Sequence, residues 1–282
     1  MPMIDASGVK LHVEETGKGD TIVFVHEYGS DAREWETQVR HFSRSYRCIA
    51  YNARGYPPSE VPEDPERYGW EFARDDIAAV LRGLSIDKAH IVGLSMGGYA
   101  ALQFAISYPQ MARSVVAAGA GSGSPKAGLA DWRKLCAERA AAIRAKGMKE
   151  FAEETGHGPT RIQLKHKDPR GWEEFMAHLR AHSALGMANT MARYQGLRPS
   201  LMDFSDALSR LTMPVLLVVG DEDEPCLDIN LFLKRAIPTA GLWFFPNTGH
   251  AVNLEEPAAF NAVVQDFLGA VEGGRWRRSI AG

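Results

Sequence analysis

Ser95 sits in Gly93-Leu94-Ser95-Met96-Gly97, a G-x-S-x-G box in a chain of 282 residues. A serine hydroxyl is a poor nucleophile at neutral pH. It needs a base within hydrogen-bond reach and a carboxylate to orient that base. Both residue types follow downstream, in Gly220-Asp221-Glu222-Asp223-Glu224-Pro225 and in Asn247-Thr248-Gly249-His250-Ala251. Serine, acid and histidine in that order could run acyl transfer through a covalent intermediate. A box of this length also occurs in ordinary glycine-rich turns, and a run of acids also marks a solvated turn. The reading therefore depends on the elements that carry these residues.

The apolar run Ala89 to Val92 reads as a strand and Tyr99 to Ser107 as a helix. A sharp strand-to-helix bend between them would expose one serine oxygen. Glycines on both sides remove the Cβ atoms that would clash. The helix that follows would aim its N-terminal N–H groups at negative charge forming there. The acids follow the buried strand Pro214 to Gly220, and His250 follows the strand Leu242 to Phe245. All three groups then lie beyond the carboxyl ends of strands, where open α/β sheets place ligands.

Further strands are expected over Val9 to Glu15, Thr21 to Val25, Tyr46 to Tyr51 and Ser114 to Ala118. Helices are expected over Arg33 to Phe42, Trp70 to Leu84, near Leu231 to Ala236, and over Phe260 to Val271. Alternating strands and helices imply a mostly parallel sheet with helices on both faces. From Gly119 to about Leu211 no strand pattern is visible, only helical stretches (Leu129 to Lys146, Lys149 to Glu154, Trp172 to Ser183, Asp203 to Leu211). That interruption is too long for a loop inside a compact domain. The expected organisation is a core of residues 1–121 and 212–282 with a helical insertion over 122–211.

Composition sets the outer limits. The chain is 45% hydrophobic and 24% charged with a formal net charge of −3, so no electrostatic argument favours nucleic acid or an anionic membrane. Three scattered cysteines, Cys48, Cys136 and Cys226, argue against a disulfide framework and fit a reducing compartment, so a cytoplasmic setting is expected. No basic-then-apolar leader pattern and no membrane-span run is seen. The basic stretch Gly273 to Arg278 reads as a frayed, solvated end. His26-Glu27-Tyr28-Gly29-Ser30 starts like a zincin motif but lacks the second histidine. Gly119-Ala120-Gly121-Ser122-Gly123 reads as a flexible hinge, not a dinucleotide loop. His157, His166, His178 and His182 lack metal-ligand spacing and read as surface or pocket-lining residues. No metal and no cofactor is expected, and the sequence does not give the oligomeric state.

Across nearly its whole length the chain resembles the α/β-hydrolase superfamily, in particular its smaller capped members. Gly93-Leu94-Ser95-Met96-Gly97-Gly98 is similar to the nucleophile segment of that family. Asn52-Ala53-Arg54-Gly55-Tyr56-Pro57-Pro58-Ser59 is similar to its D-x-R-G-x-G-x-S turn, with Asn52 in place of aspartate. Gly249-His250 with Leu254-Glu255-Glu256-Pro257 and Phe260-Asn261 is similar to its histidine segment. The resemblance implies Ser95 as nucleophile, His250 as base and, among the four acids, Asp223. It also implies an oxyanion hole from the N–H groups of Tyr28 and Met96, the residue after the nucleophile. In Val25-His26-Glu27-Tyr28-Gly29 the usual glycine after the histidine is Glu27. The expectation is that Glu27 turns into a polar network with His26 or Arg54. The sharper alternative is that it touches the pocket and acts on water or substrate.

The insertion resembles a cap that builds the pocket over the nucleophile. Trp132, Phe175, Met176, Leu179, Met187, Met191 and Tyr194 are its apolar candidates. His26, Glu27, Trp132, Met187 and Met191 are the candidates for the pocket wall. The expected activity is hydrolysis of a small or medium carboxylic ester, with a small-molecule substrate as the partner. Alternatives are a lactone, a vinylogous diketone cleaved at a carbon–carbon bond, a haloperoxidase-like perhydrolysis, or a ligand receptor on a hydrolase fold.

Overall fold

The structure is a computed structural model describing residues 2–276. Eight strands form one sheet: β1 (Met3–Asp5), β2 (Lys10–Thr16), β3 (Thr21–Val25), β4 (Arg47–Tyr51), β5 (Ala89–Leu94), β6 (Ala112–Ala118), β7 (Val215–Gly220) and β8 (Ala240–Phe245). Their order is β1-β2-β4-β3-β5-β6-β7-β8. The β1–β2 and β2–β4 pairs are antiparallel, and every pair from β4 to β8 is parallel. β1 was not anticipated: three residues are too few to show a period. The helices of the first half are α1 (Glu36–Phe42), α2 (Trp70–Gly83) and α3 (Met96–Ser107).

The central strands β3, β5, β6 and β7 are buried along nearly their whole length, as expected where both faces are covered. Successive residues point to opposite faces, so the strands feed two separate cores. Val23, Ile91, Val115 and Leu217 pack with Ile77 and Leu81 of α2 and Phe104 of α3. Ile22, Val92, Val116 and Val218 pack with Phe42 of α1 and with Phe260, Val264 and Phe267 near the C-terminus.

Between β6 and β7 the chain forms α4 (Leu129–Lys146), α5 (Met148–Gly156), α6 (Ile162–Lys167), α7 (Pro169–Ala181), α8 (Ala184–Asn189) and α9 (Ser205–Leu208), and it contains no strand. A π-helical turn, Thr190–Gln195, follows α8 directly. α6, α8 and this turn went unforeseen because they are short. The helix expected over Asp203 to Leu211 is only the four residues of α9 after a 3₁₀ turn. The chain ends with α10 (Glu224–Ala236), α11 (Val252–Glu255) and α12 (Pro257–Glu272). α10 starts well before the expected Leu231, with Pro225 in its first turn, where the missing N–H costs nothing.

The basic end is not frayed as far as it is described. Trp276 donates its indole N–H to the Thr239 carbonyl at 2.8 Å and stacks edge-on against Phe267. Arg277 and Arg278 lie outside the described residues. No helix among the described residues is long and apolar enough to cross a membrane.

Candidate active site

β5 ends at Leu94 and α3 begins at Met96, so Ser95 alone makes the turn. Its backbone sits at φ 53° and ψ −110°. A positive φ in a non-glycine residue costs on the order of 1–3 kcal/mol and persists only where neighbours impose it. Here the Ser95 N–H is held by the Ala118 carbonyl at 2.7 Å, and the Ser95 carbonyl accepts from the Tyr99 N–H at 2.9 Å. A Cβ on Gly97 would overlap the Val25 carbonyl oxygen, and one on Gly93 would overlap the Gly97 carbonyl. The spacing of the box therefore reflects two backbone-to-backbone contacts that admit no side chain.

Asp223 follows β7 at the start of α10, and His250 lies between β8 and α11. Asp223 Oδ2 lies 2.7 Å from His250 Nδ1, with both side chains buried. Of the four neighbouring acids only this one reaches the histidine. Asp221 instead accepts from the Thr248 N–H at 3.1 Å, and Glu222 bonds Gln163. Burial opposes charge on His250, but the Asp223 carboxylate outweighs it and holds the imidazole well above its usual range. Burial likewise works against the Asp223 carboxylate, and the His250 charge and hydrogen bond hold its pKa below the usual value. Glu255 is a site residue that spacing did not single out. Its carboxylate accepts from the N–H of Gly249 at 2.6 Å and of Ala251 at 3.1 Å, bracing the backbone on both sides of His250. The only sequence signal for it was its place in Leu254-Glu255-Glu256-Pro257.

The loop after β3 carries the candidate oxyanion donor. Met96 is the first residue of α3, so its N–H has no partner within the helix. The Tyr28 N–H has no acceptor among the described residues either. Tyr28 is fixed at two other points: its carbonyl accepts from the Tyr56 hydroxyl at 2.8 Å, and its own hydroxyl donates to the Met187 carbonyl at 2.9 Å.

The expected network for Glu27 is not what forms. Arg54 is taken by Asp76, at 2.5 and 2.8 Å. His26 accepts the Ala53 N–H at Nε2 (3.0 Å), which leaves Nδ1 to donate to the Glu27 backbone carbonyl at 2.6 Å. The Glu27 carboxylate instead pairs with Arg161, from the turn before α6, and its Oε2 lies 3.8 Å from His250 Nε2.

Above Ser95 is a cavity of about 390 Å³. Glu27, Trp132 and Met191 line it together with Tyr28, Ser95 and His250. His26 and Met187 do not. His26 borders a separate small void of about 20 Å³ that is also lined by Tyr51, Tyr56 and Met96. Met187 is fully buried, and what it contributes is the carbonyl that holds Tyr28. Three arginines also reach the cavity, Arg139, Arg161 and Arg198, and apolar periodicity could not have found them. Arg198 is only 4% exposed. One of its nitrogens donates to the Ser122 carbonyl at 2.5 Å, while its Nε and Nη1 are buried without a protein partner. Among the expected pocket or surface histidines, His182 is buried, edge-on to Tyr56 and 4.0 Å from Asp31.

Asp223, Cys226 and His250 present ligand-type atoms within 4.8 Å of one another. They do not suit a cation as they stand. The Cys226 thiol donates to the Gly119 carbonyl at 3.2 Å, burial pushes its pKa up, and His250 Nδ1 is committed to Asp223.

The sequence pattern of the Alpha/beta hydrolase family matches residues 22–263. A putative 2-succinyl-6-hydroxy-2,4-cyclohexadiene-1-carboxylate synthase of Bacillus subtilis is 25% identical over 94% of this chain and 97% of its own length. A 2-hydroxy-6-oxo-6-phenylhexa-2,4-dienoate hydrolase of Burkholderia cepacia is 28% identical over 93% of this chain and 92% of its own. A thermophilic esterase from Thermogutta terrifontis superposes with a TM-score of 0.82 at 26% identity, covering 96% of this chain and 98% of that one.

Proposed function

The chain belongs to the Alpha/beta hydrolase family and is an α/β-fold serine hydrolase, and from that premise we propose the reaction and the substrate class. Ser95 attacks a carbonyl carbon. His250 takes the serine proton and delivers it to the leaving group, while Asp223 holds the imidazole and stabilises its cation. The N–H groups of Tyr28 and Met96 receive the oxyanion, and water then releases the acyl group. Residues 122–211 act as a cap on a core formed by 1–121 and 212–282.

The substrate is a small molecule bearing a carboxylate, cleaved at a carbon–carbon bond beside a ketone or at an activated ester. The observation that carries this is the pair of arginines, Arg139 and Arg198, in the wall of the cavity that contains Ser95. A guanidinium in a cavity wall offers a ligand carboxylate a charge-assisted hydrogen bond. The names of both curated relatives point the same way: one acts on a dienoate and the other makes a carboxylate. The dienoate hydrolase supports the carbon–carbon hydrolase reading over a simple neutral ester.

The test is a matched panel: a 2-hydroxy-6-keto-dienoate, neutral p-nitrophenyl esters, and esters of dicarboxylic acids. The anionic substrates should show the higher kcat/KM, and Ser95→Ala should abolish turnover of all of them. Preference for neutral esters would overturn the substrate class. Absence of turnover together with no fluorophosphonate labelling of Ser95 would overturn the hydrolase mechanism in favour of a binding protein.

A further inference from the structure

Glu27 stands where the family resemblance has glycine, and its carboxylate lines the cavity beside Ser95 and His250. One oxygen, Oε1, is occupied by Arg161. The other, Oε2, makes no hydrogen bond within the described protein and is not sealed from the cavity. It lies 3.8 Å from His250 Nε2, the ring nitrogen not used by Asp223. A carboxylate here should oppose an oxyanion, because like charge disfavours the charge that forms. The buried Arg161 guanidinium cancels that penalty. Glu34 accepts the Glu27 N–H at 3.0 Å, and burial together with the Glu27 charge pushes its carboxyl above the usual range.

We propose that Glu27 holds the water that hydrolyses the acyl-enzyme, aligned against His250. This rests on the reading of Ser95 as a nucleophile that forms an acyl-enzyme. At ordinary hydrogen-bond lengths of about 2.8 Å to each atom, a 3.8 Å span leaves an angle of about 85° at a shared water. One water hydrogen then points at His250 Nε2 and the other at Glu27 Oε2. The water oxygen attacks the acyl carbon, and the carbonyl π electrons move onto its oxygen at Tyr28 and Met96. The first hydrogen passes to Nε2. Collapse of the intermediate breaks the bond to Ser95 Oγ, which takes that proton back from His250. The second hydrogen stays with the released acid, and Glu27 ends as it began. Its contribution is orientation of the attacking water, a demand that exists only in the second half of the reaction.

The experiment is pre-steady-state hydrolysis of p-nitrophenyl acetate by Glu27→Gln, followed by stopped-flow absorbance and by intact mass spectrometry of quenched samples. The glutamine oxygen can still take Arg161, which turns its NH₂ toward the cavity as a donor. The expected result is a nitrophenolate burst of about one equivalent at the wild-type acylation rate. Steady turnover should then fall by 10- to 100-fold, with acetyl accumulating on Ser95. Glu27→Ala should behave alike, and added formate, a small carboxylate that fits the vacated space, should speed its deacylation. Equal slowing of both phases without trapped acyl-enzyme would overturn the proposal and assign Glu27 to acylation. Unchanged rates in both variants would overturn it outright. If Glu27→Gln does not fold, Glu27→Ala with and without formate decides, and lack of rescue counts against the proposal. Failure of the underlying reading looks different, because then wild-type Ser95 is not acylated at all.

Discussion

The guanidinium of Arg161 is buried against the carboxylate of Glu27, joining the segment between β6 and β7 to the loop that follows β3. Their side chains are 4% and 2% exposed, so both charges are largely cut off from bulk water. Removing one partner of such a pair costs about 3–5 kcal/mol, because the other is left charged and buried. Arg161→Gln should lower the urea midpoint accordingly at unchanged slope. Glu27→Gln/Arg161→Gln should be less destabilised than the sum of the single variants. Additive losses would contradict a coupled pair.

The pH dependence follows from His250. Against burial, the Asp223 carboxylate raises its pKa above 6.5 in the folded state, so the neutral base that the proposed attack by Ser95 requires grows in as pH rises through that value. Below pH 6.5 the His250 contribution to stability is fully present, and it fades as pH rises through the raised value. Asp223 has the opposite sign: its depressed pKa contributes stability above 3.8 that is lost as pH falls through the folded value. kcat/KM should climb with pH along a limb centred above 6.5. Asp223→Asn should move that limb down while kcat drops on the order of 10⁴-fold. A pH–rate profile of both proteins checks the two shifts together.

The strain at Ser95 separates stability from activity. Ser95→Gly removes the proposed nucleophile but relaxes the positive φ of 53°, whereas Ser95→Ala removes it and keeps the strain. Both variants should lose turnover and fluorophosphonate labelling. The glycine variant should be more stable than the alanine variant by about 1 kcal/mol, read as a difference in denaturation midpoint. Equal stabilities would mean that the turn is not strained.

Tyr56 is buried and its hydroxyl donates to the Tyr28 carbonyl. Tyr56→Phe leaves that carbonyl without its donor and loosens the peptide that carries one candidate oxyanion N–H. Stability should fall by about 1–2 kcal/mol. The kinetic effect should fall on kcat, by about tenfold, with KM little changed, because the oxyanion contact is made only in the transition state.

Arg198 lies under the rings of Tyr99, Trp132 and Tyr194, at 4.9, 5.8 and 5.9 Å from their centroids. Arg198→Gln should raise KM for carboxylate substrates about 10- to 100-fold and leave neutral ester turnover within a few-fold. Parallel loss on both substrate types, with an unchanged melting temperature, would remove Arg198 from carboxylate recognition.

The amino-acid sequence by itself determined the elbow, the parallel core and the order serine, acid, histidine. Those features rest on local chemistry: glycines where backbones must touch, apolar runs that can only be buried strands, and polar residues at strand ends. The helical segment between β6 and β7 was legible as a break in alternation, but its shortest helices were not, since six residues are too few to reveal a period. Residue chemistry alone left four neighbouring acids and only the family resemblance pointed to Asp223; the tertiary structure gives the physical reason, because Asp221 and Glu222 are drawn off by Thr248 and Gln163. It also decided the fate of Glu27. In sequence Arg54 was as plausible a partner as any, but Asp76 claims it, and Arg161, 134 positions from Glu27, takes its place. Hydrogen bonds and ion pairs between distant segments depend on how those segments pack, and packing leaves no period in the sequence. The pairing of Glu27 with Arg161 and the arginines above Ser95 therefore came into view only in three dimensions.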